Sequence, residues 1–241
     1  MTEAAGSAVP PPSTDRGVEF TCKIDHWTCT TRESLDDIER VFDTFGVRFR
    51  ELPYGFNSYR RQLVGPDGLR VGFTPDRDDI SINISGTACT ALGVERIIDI
   101  TQQLRARPSR VDVAFDGCPF TPLTLERAWK KGNINSSIKR TGDSRQLIQN
   151  ADGNTTLYMG SKASDTRLVC YDKRGPTRLE LRLRKERALG FFLEVLERGV
   201  EYLPEIAMGV ITAAADFVKR DGVTDTNASR ARRLRWWTRF V

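Results

Sequence analysis

Residues 166–184 read TRLVCYDKRGPTRLELRLR, and their pattern decides the fold class. Leu179, Leu181 and Leu183 alternate with Arg178, Glu180, Arg182 and Arg184. A period of two marks a strand with one apolar and one polar face. On the preceding segment Tyr171 and Lys173 share a side, and Arg174-Gly175-Pro176 between the two segments is a turn signal. The two segments predict an antiparallel hairpin. Centred on that turn, it sets Tyr171 opposite Glu180 and Lys173 opposite Arg178. A phenol facing a carboxylate among arginines is unusual for a plain sheet surface.

A third strand of the same kind lies upstream. In Arg110-Val-Asp-Val-Ala-Phe-Asp116, Val111, Val113 and Phe115 point one way, and Arg110, Asp112, Ala114 and Asp116 the other. Working outward, residues 19–30 read as a strand. Ser34 and Asp37 form a capping box that opens a helix stopped by Gly46. Strands are predicted at 47–52, 58–64, 69–74 and 80–85, a helix over 92–105, and the strand 110–116. Residues 19–116 are thus close to a ferredoxin-like βαββαβ unit with extra strands. The pattern then partly recurs: a helix over 122–131, strand pieces near 134–140, 145–149 and 155–160, the hairpin, and helices 188–203 and 205–219 broken at Pro204. The expected fold class is α+β, a mainly antiparallel sheet of such units with helices on one face. Residues 1–18 predict a disordered tail, and 19–241 one functional domain, with halves at 19–120 and 121–241 if the unit is duplicated. Residues 227–240 predict a basic amphipathic helix.

Composition narrows the chemistry. The chain has 241 residues and no apolar run approaching the ~18 residues of a membrane span, and its first residues lack the pattern of a secretory signal. The five cysteines are scattered and never spaced C-x-x-C, which argues against a disulfide framework or structural zinc and for a reducing cytoplasm. The one histidine, His26, rules out a three-histidine zinc site and the His-hydrophobe-His metal motif of the commonest single-strand nickases. No G-x-S-x-G elbow and no Walker loop is present. Between Lys162 and Arg187 nine basic residues face four acidic ones, a surplus of +5 that equals the net charge of the whole chain. A basic stripe on one element suits a phosphate backbone as partner.

The carboxylates Asp112, Asp116 and Glu180 are of the ligand type preferred by Mg²⁺ or Mn²⁺. Asp112 and Asp116 are four residues apart, roughly 13 Å along a strand at ~3.3 Å per residue. They cannot both bind one ion on a straight strand, so Asp112 with Glu180 is the preferred pair.

Four ordered blocks carry a resemblance. Arg110-Val-Asp-Val-Ala-Phe-Asp116, then Tyr158-Met-Gly-Ser161 with Ser164, then Tyr171-Asp-Lys173, then Arg178-Leu-Glu-Leu-Arg182 resemble the plasmid rolling-circle replication initiators of the Rep_trans type, related to replication proteins of some filamentous phages. Ile82-Asn-Ile-Ser-Gly86 and Cys89 resemble an upstream block of that family, and Arg167 stands one position early on the nucleophile strand. The resemblance implies that Tyr171 attacks a DNA phosphodiester at the plasmid or phage origin, forming a 5′-phosphotyrosyl link and freeing a 3′-OH primer. It implies Asp112 and Glu180 as ligands of a divalent cation, Mg²⁺ or Mn²⁺, with Asp116 close by. Lys173 and Arg178 would act on the phosphate. Arg110, Ser161, Lys162, Ser164, Arg174, Arg182 and Arg184 would contact DNA, although Ser161 and Ser164 also suit a turn cap. Tyr158 reads as packing or a DNA contact, and His26 as structural. The implied partners are origin DNA, a host helicase and a replicative polymerase, with a homodimer as a further possibility and no membrane. The alternative reading is a non-catalytic, sequence-specific DNA-binding or regulatory protein of a mobile element.

Overall fold

The computed structural model describes residues 20–138, 144–151, 153–173, 175–220 and 231–241. The chain is α+β. Ten strands form one sheet: β1 (Thr21–Thr31), β2 (Arg50–Leu52), β3 (Arg61–Val64), β4 (Arg70–Phe73), β5 (Ile80–Ile84), β6 (Arg107–Asp116), β8 (Arg145–Gln149), β9 (Thr155–Met159), β10 (Thr166–Asp172) and β11 (Thr177–Arg184). Their order is β2-β3-β4-β5-β1-β6-β11-β10-β9-β8. A two-stranded ribbon joins β7 (Asn135–Ser136) to β12 (Ala215–Asp216). The chain divides into two compact units, each built from more than one stretch of sequence.

The first unit comprises Lys23–Val113 and Leu183–Glu201. Cys29, Ile82, Val71 and Leu63 pair in one row across β1, β5, β4 and β3, and all four are buried. The adjacent row runs Thr28, Asn83, Arg70, Val64, Arg50 and is partly or fully exposed. The period-2 rule therefore splits this sheet segment into an apolar and a polar face. Helix α1 (Leu35–Asp43) begins at the Ser34–Asp37 capping box and buries Ile38, Val41 and Phe42. Trp27 is fully buried and meets Phe192 of α5 (Glu186–Arg198) edge-on, ring centroids 5.9 Å apart.

Several expected boundaries move. The four strands expected after α1 are present as β2 to β5. The helix expected over 92–105 is α3 (Val94–Gln103), and a further helix, α2 (Gly86–Leu92), capped by Ser85, precedes it. Gly93, at φ +82°, breaks them apart in a conformation that L side chains resist. The later break falls at Gly199, φ +103°, and not at Pro204. Pro204 sits in the first turn of α6 (Leu203–Ala214), where its missing N–H costs no helical bond.

The second unit comprises Ala114–Arg182 and Tyr202–Val241 with residues 20–22. Helix α4 (Pro122–Lys130) packs against β9 and β10. Leu157, Met159, Leu168, Cys170, Leu179 and Leu181 are fully buried, each such aliphatic side chain contributing ~1.5–3 kcal/mol relative to exposure. Trp237 is also fully buried, and its indole N–H donates to Asp216 at 2.7 Å. Phe120, Phe217, Trp236 and Phe240 surround it. The tryptophans therefore serve packing. Of the basic helix expected over 227–240, only α7 (Arg235–Thr238) is helical among the described residues. Residues 227–230, like the tail 1–18, lie outside the described set. No helix among the described residues is long and apolar enough to cross a membrane.

Candidate active site

Strands β10 and β11 are neighbours in the sheet, and the Lys173 N–H donates to the Pro176 carbonyl at 3.0 Å across the turn, a tighter closure than the expected pairing of Lys173 with Arg178. The hydroxyl of Tyr171 donates to Glu180 Oε1 at 2.5 Å. Glu180 is 3% exposed, and its other oxygen, Oε2, accepts from Arg182 Nε and Nη2 at 2.9 and 2.6 Å. Arg178 closes the second side. Its Nε and Nη2 donate to Asp116 Oδ1 and Oδ2, both at 2.6 Å, and its Nη1 lies 4.0 Å from Glu180 Oε1. Lys173 Nζ stands 3.8 Å from Asp116. Tyr171, Lys173, Arg178, Glu180, Arg182 and Asp116 thus form one constellation in the second unit.

The phenol is held neutral. Burial pushes its pKa well above the ordinary tyrosine value, and the hydrogen bond and negative charge of Glu180 push the same way. Arg178, by charge and hydrogen bond, pulls it down. The base that raises the pKa is also the group positioned to take the proton.

Asp112 belongs to the first unit and is 3% exposed. Arg110 forks onto it, Nε to Oδ1 at 3.0 Å and Nη2 to Oδ2 at 2.5 Å. Sequence reasoning did not single out Asp25 of β1, a further carboxylate in this unit. Burial raises the Cys89 thiol pKa, and the charges of Asp25 and Asp112 both add to the rise. Gly86 lies against Asp25: a Cβ there would stand 2.9 Å from the Asp25 carbonyl and 3.2 Å from Oδ1. The signal was the Ser85-Gly86 pair, which a side chain at residue 86 would disrupt.

The remaining residues divide. Ser164 donates from its hydroxyl to the Thr166 carbonyl at 2.8 Å, and its N–H donates to Ser161 O at 3.2 Å, so this pair shapes the β9–β10 loop. Lys162, in the same loop, is exposed, and Arg184 is half-buried in the first unit. Arg174 lies outside the described residues. His26 bonds Thr28 Oγ1 at 3.0 Å, with Asn83 Nδ2 at 3.3 Å, as a structural histidine does. All five cysteines are free and buried.

Among the described residues no group of three or more His, Cys, Asp or Glu side chains is arranged to hold a metal ion. Both oxygens of Asp116 are committed to Arg178, whose side chain is 3% exposed and has no solvent to retreat into. Both oxygens of Glu180 are engaged by Tyr171 and Arg182. Arg110 is a third exposed and can leave Asp112 for solvent. Mg²⁺ is commonly held by one or two carboxylates together with water and substrate phosphate. By that pattern Asp112 is better placed to exchange its arginine for a cation than Asp116 is.

The family model described as replication initiation factor, Rep_trans, matches residues 106–241, more than half of the chain. The chain belongs to this family. Its fold agrees: the solved structure of a rolling circle replication initiator protein from Geobacillus stearothermophilus matches with a TM-score of 0.74 over 92% of this chain and 95% of that one, at 22% identity. No curated protein matches in sequence. As a replication initiation factor, the chain carries the tyrosine–glutamate–arginine constellation within the span that the family model covers.

Proposed function

We propose that this replication initiation factor starts rolling-circle replication by nicking one strand of its origin DNA with Tyr171. The observation that carries the reading is the Tyr171 hydroxyl bonded to Glu180 at 2.5 Å beside a guanidinium. A phenol of pKa ~10 is a weak nucleophile at neutral pH and needs a base at the moment of attack. Glu180 Oε1 receives the proton as Tyr171 Oη bonds phosphorus. The P–O3′ bond breaks, the 5′-phosphate stays on Tyr171, and the departing O3′ takes up a proton to become the primer hydroxyl. Arg178, fixed by Asp116, and Lys173 offset charge growing on the phosphate oxygens. Energy stored in the phosphotyrosyl bond allows rejoining without a nucleotide.

A divalent cation, Mg²⁺ or Mn²⁺, belongs to the proposal at Asp112 and Asp25, where it would supply positive charge to bound DNA phosphate. Arg182, Arg184, Lys162 and Arg110 are proposed to meet the DNA backbone. A host helicase and polymerase would extend the freed end, a homodimer would bind the origin, and five reduced cysteines suit a cytoplasmic setting. The test is to mix the chain with labelled plasmid DNA and Mg²⁺. A covalent protein–DNA adduct is expected, and salt-sensitive binding without cleavage would favour the DNA-binding alternative.

A further inference from the structure

The strand pair that carries Tyr171 carries a second aromatic arrangement. Val169 of β10 faces Tyr158 of β9, and Tyr171 faces Thr156. Tyr158 and Tyr171 therefore share one face of the sheet as diagonal neighbours, a relationship that sets positions ~7–8 Å apart and within reach of long side chains. The Arg167 guanidinium lies over the Tyr158 ring, 4.2 Å from its centroid. Its Nε donates to the Gly160 carbonyl at 3.1 Å. Gly160 has φ +100°, and a Cβ there would stand 3.0 Å from Thr166 O and 3.3 Å from Arg167 Cα. The guanidinium is thus fixed at its edge by a carbonyl that only glycine presents, and on its face by a ring. Tyr158 and Arg167 are both half-buried.

We propose that the Tyr158–Arg167 stack is a binding position for one unpaired nucleobase of the strand that Tyr171 attacks. The identity of the strand rests on the nicking reading; the stack itself does not. Phenol rings and guanidinium planes hold splayed bases by stacking and are tolerant of sequence. A base suits this site better than a phosphate, because phosphate recognition by arginine uses the donor fork. Here Nε is turned to the Gly160 carbonyl and the guanidinium carbon lies over the Tyr158 ring.

The test uses the full chain carrying Tyr171→Phe, which binds without forming an adduct, and single-stranded oligo(dT) with one 2-aminopurine. Binding is expected to quench the fluorescent base. Tyr158→Ala and Arg167→Ala, each added to that chain, should relieve the quench and weaken binding roughly five- to 150-fold, the range for one stacked base. Tyr158→Phe keeps the ring and should keep both. Arg167→Lys keeps the charge without the plane, so it should lose the quench while retaining most of the affinity. Unchanged quench and affinity in Arg167→Ala, or full quench in Arg167→Lys, overturns the proposal even if Tyr158→Ala does not fold. Quenching that depends on both residues, with no adduct from the unchanged chain, removes the nicking reading and leaves the base position standing.

Discussion

Arg178 grips both oxygens of Asp116 at 2.6 Å while its side chain is 3% exposed. A buried guanidinium in a fork of this kind is costly to strand, because removing one partner leaves the other's charge desolvated. Asp116 therefore works by fixing Arg178 next to the Tyr171 hydroxyl. Asp116→Ala should lower the unfolding free energy by about 3 kcal/mol, while Asp116→Asn, which keeps the shape, should lose less. Urea melts of the two variants check this. Equal, near-zero losses would mean that the fork contributes nothing.

Glu180 raises the phenol pKa by accepting its hydrogen bond and by its charge. A group whose folded pKa is raised stays protonated to higher pH than in the unfolded chain, so its contribution to stability is present below ~10 and fades above it. Glu180→Gln removes the charge. The alkaline absorbance titration assigned to Tyr171, taken as the difference between this variant with and without Tyr171→Phe, should then move to lower pH. No movement would detach Glu180 from the phenol.

Metal dependence should separate the two aspartates of β6. Asp112→Asn is expected to raise the Mg²⁺ concentration needed for half-maximal adduct formation by about tenfold or more, as loss of a ligand or its support does. The residual activity of Asp116→Asn should keep the Mg²⁺ dependence of the unchanged chain. The same shift in both variants would put Asp116 back among the ligands.

The β9–β10 loop offers a contrast between neighbours. Lys162 is exposed, whereas the Ser164 hydroxyl is occupied by Thr166 O. Lys162→Ala should reduce the slope of log K against log salt for DNA binding by about one. Ser164→Ala should leave that slope alone. A reduced slope for Ser164→Ala would make its hydroxyl a phosphate ligand.

The legible parts of the sequence were those fixed by near neighbours. A turn signal and a period of two put Tyr171 and Glu180 on one face of adjacent strands, so their contact followed from residues nine apart. The Ser34 capping box likewise marked the start of α1. The α2–α3 boundary was not legible, because Gly-Thr-Ala-Cys-Thr-Ala-Leu carries weak helix propensity and its cap, Ser85, ends a strand. Pro204 misled because proline is tolerated in a helix's first turn. The Asp116–Arg178 fork spans 62 residues and depends on tertiary register. Asp25 and Asp112 come to lie on neighbouring strands only through the pairing of β1 with β6.

The central claim is that Tyr171 is the nucleophile. Its most direct measurement is mass spectrometry of the peptide left on DNA after the unchanged chain reacts with labelled supercoiled plasmid, carried out beside Tyr171→Phe. That substitution removes one oxygen and keeps the ring, so folding and DNA binding should persist while no hydroxyl remains to attack phosphorus. A nucleotide-modified peptide mapping to Tyr171, and no adduct from the variant, are the expected results. A modified peptide mapping to Tyr158, or full nicking by Tyr171→Phe, would contradict the claim.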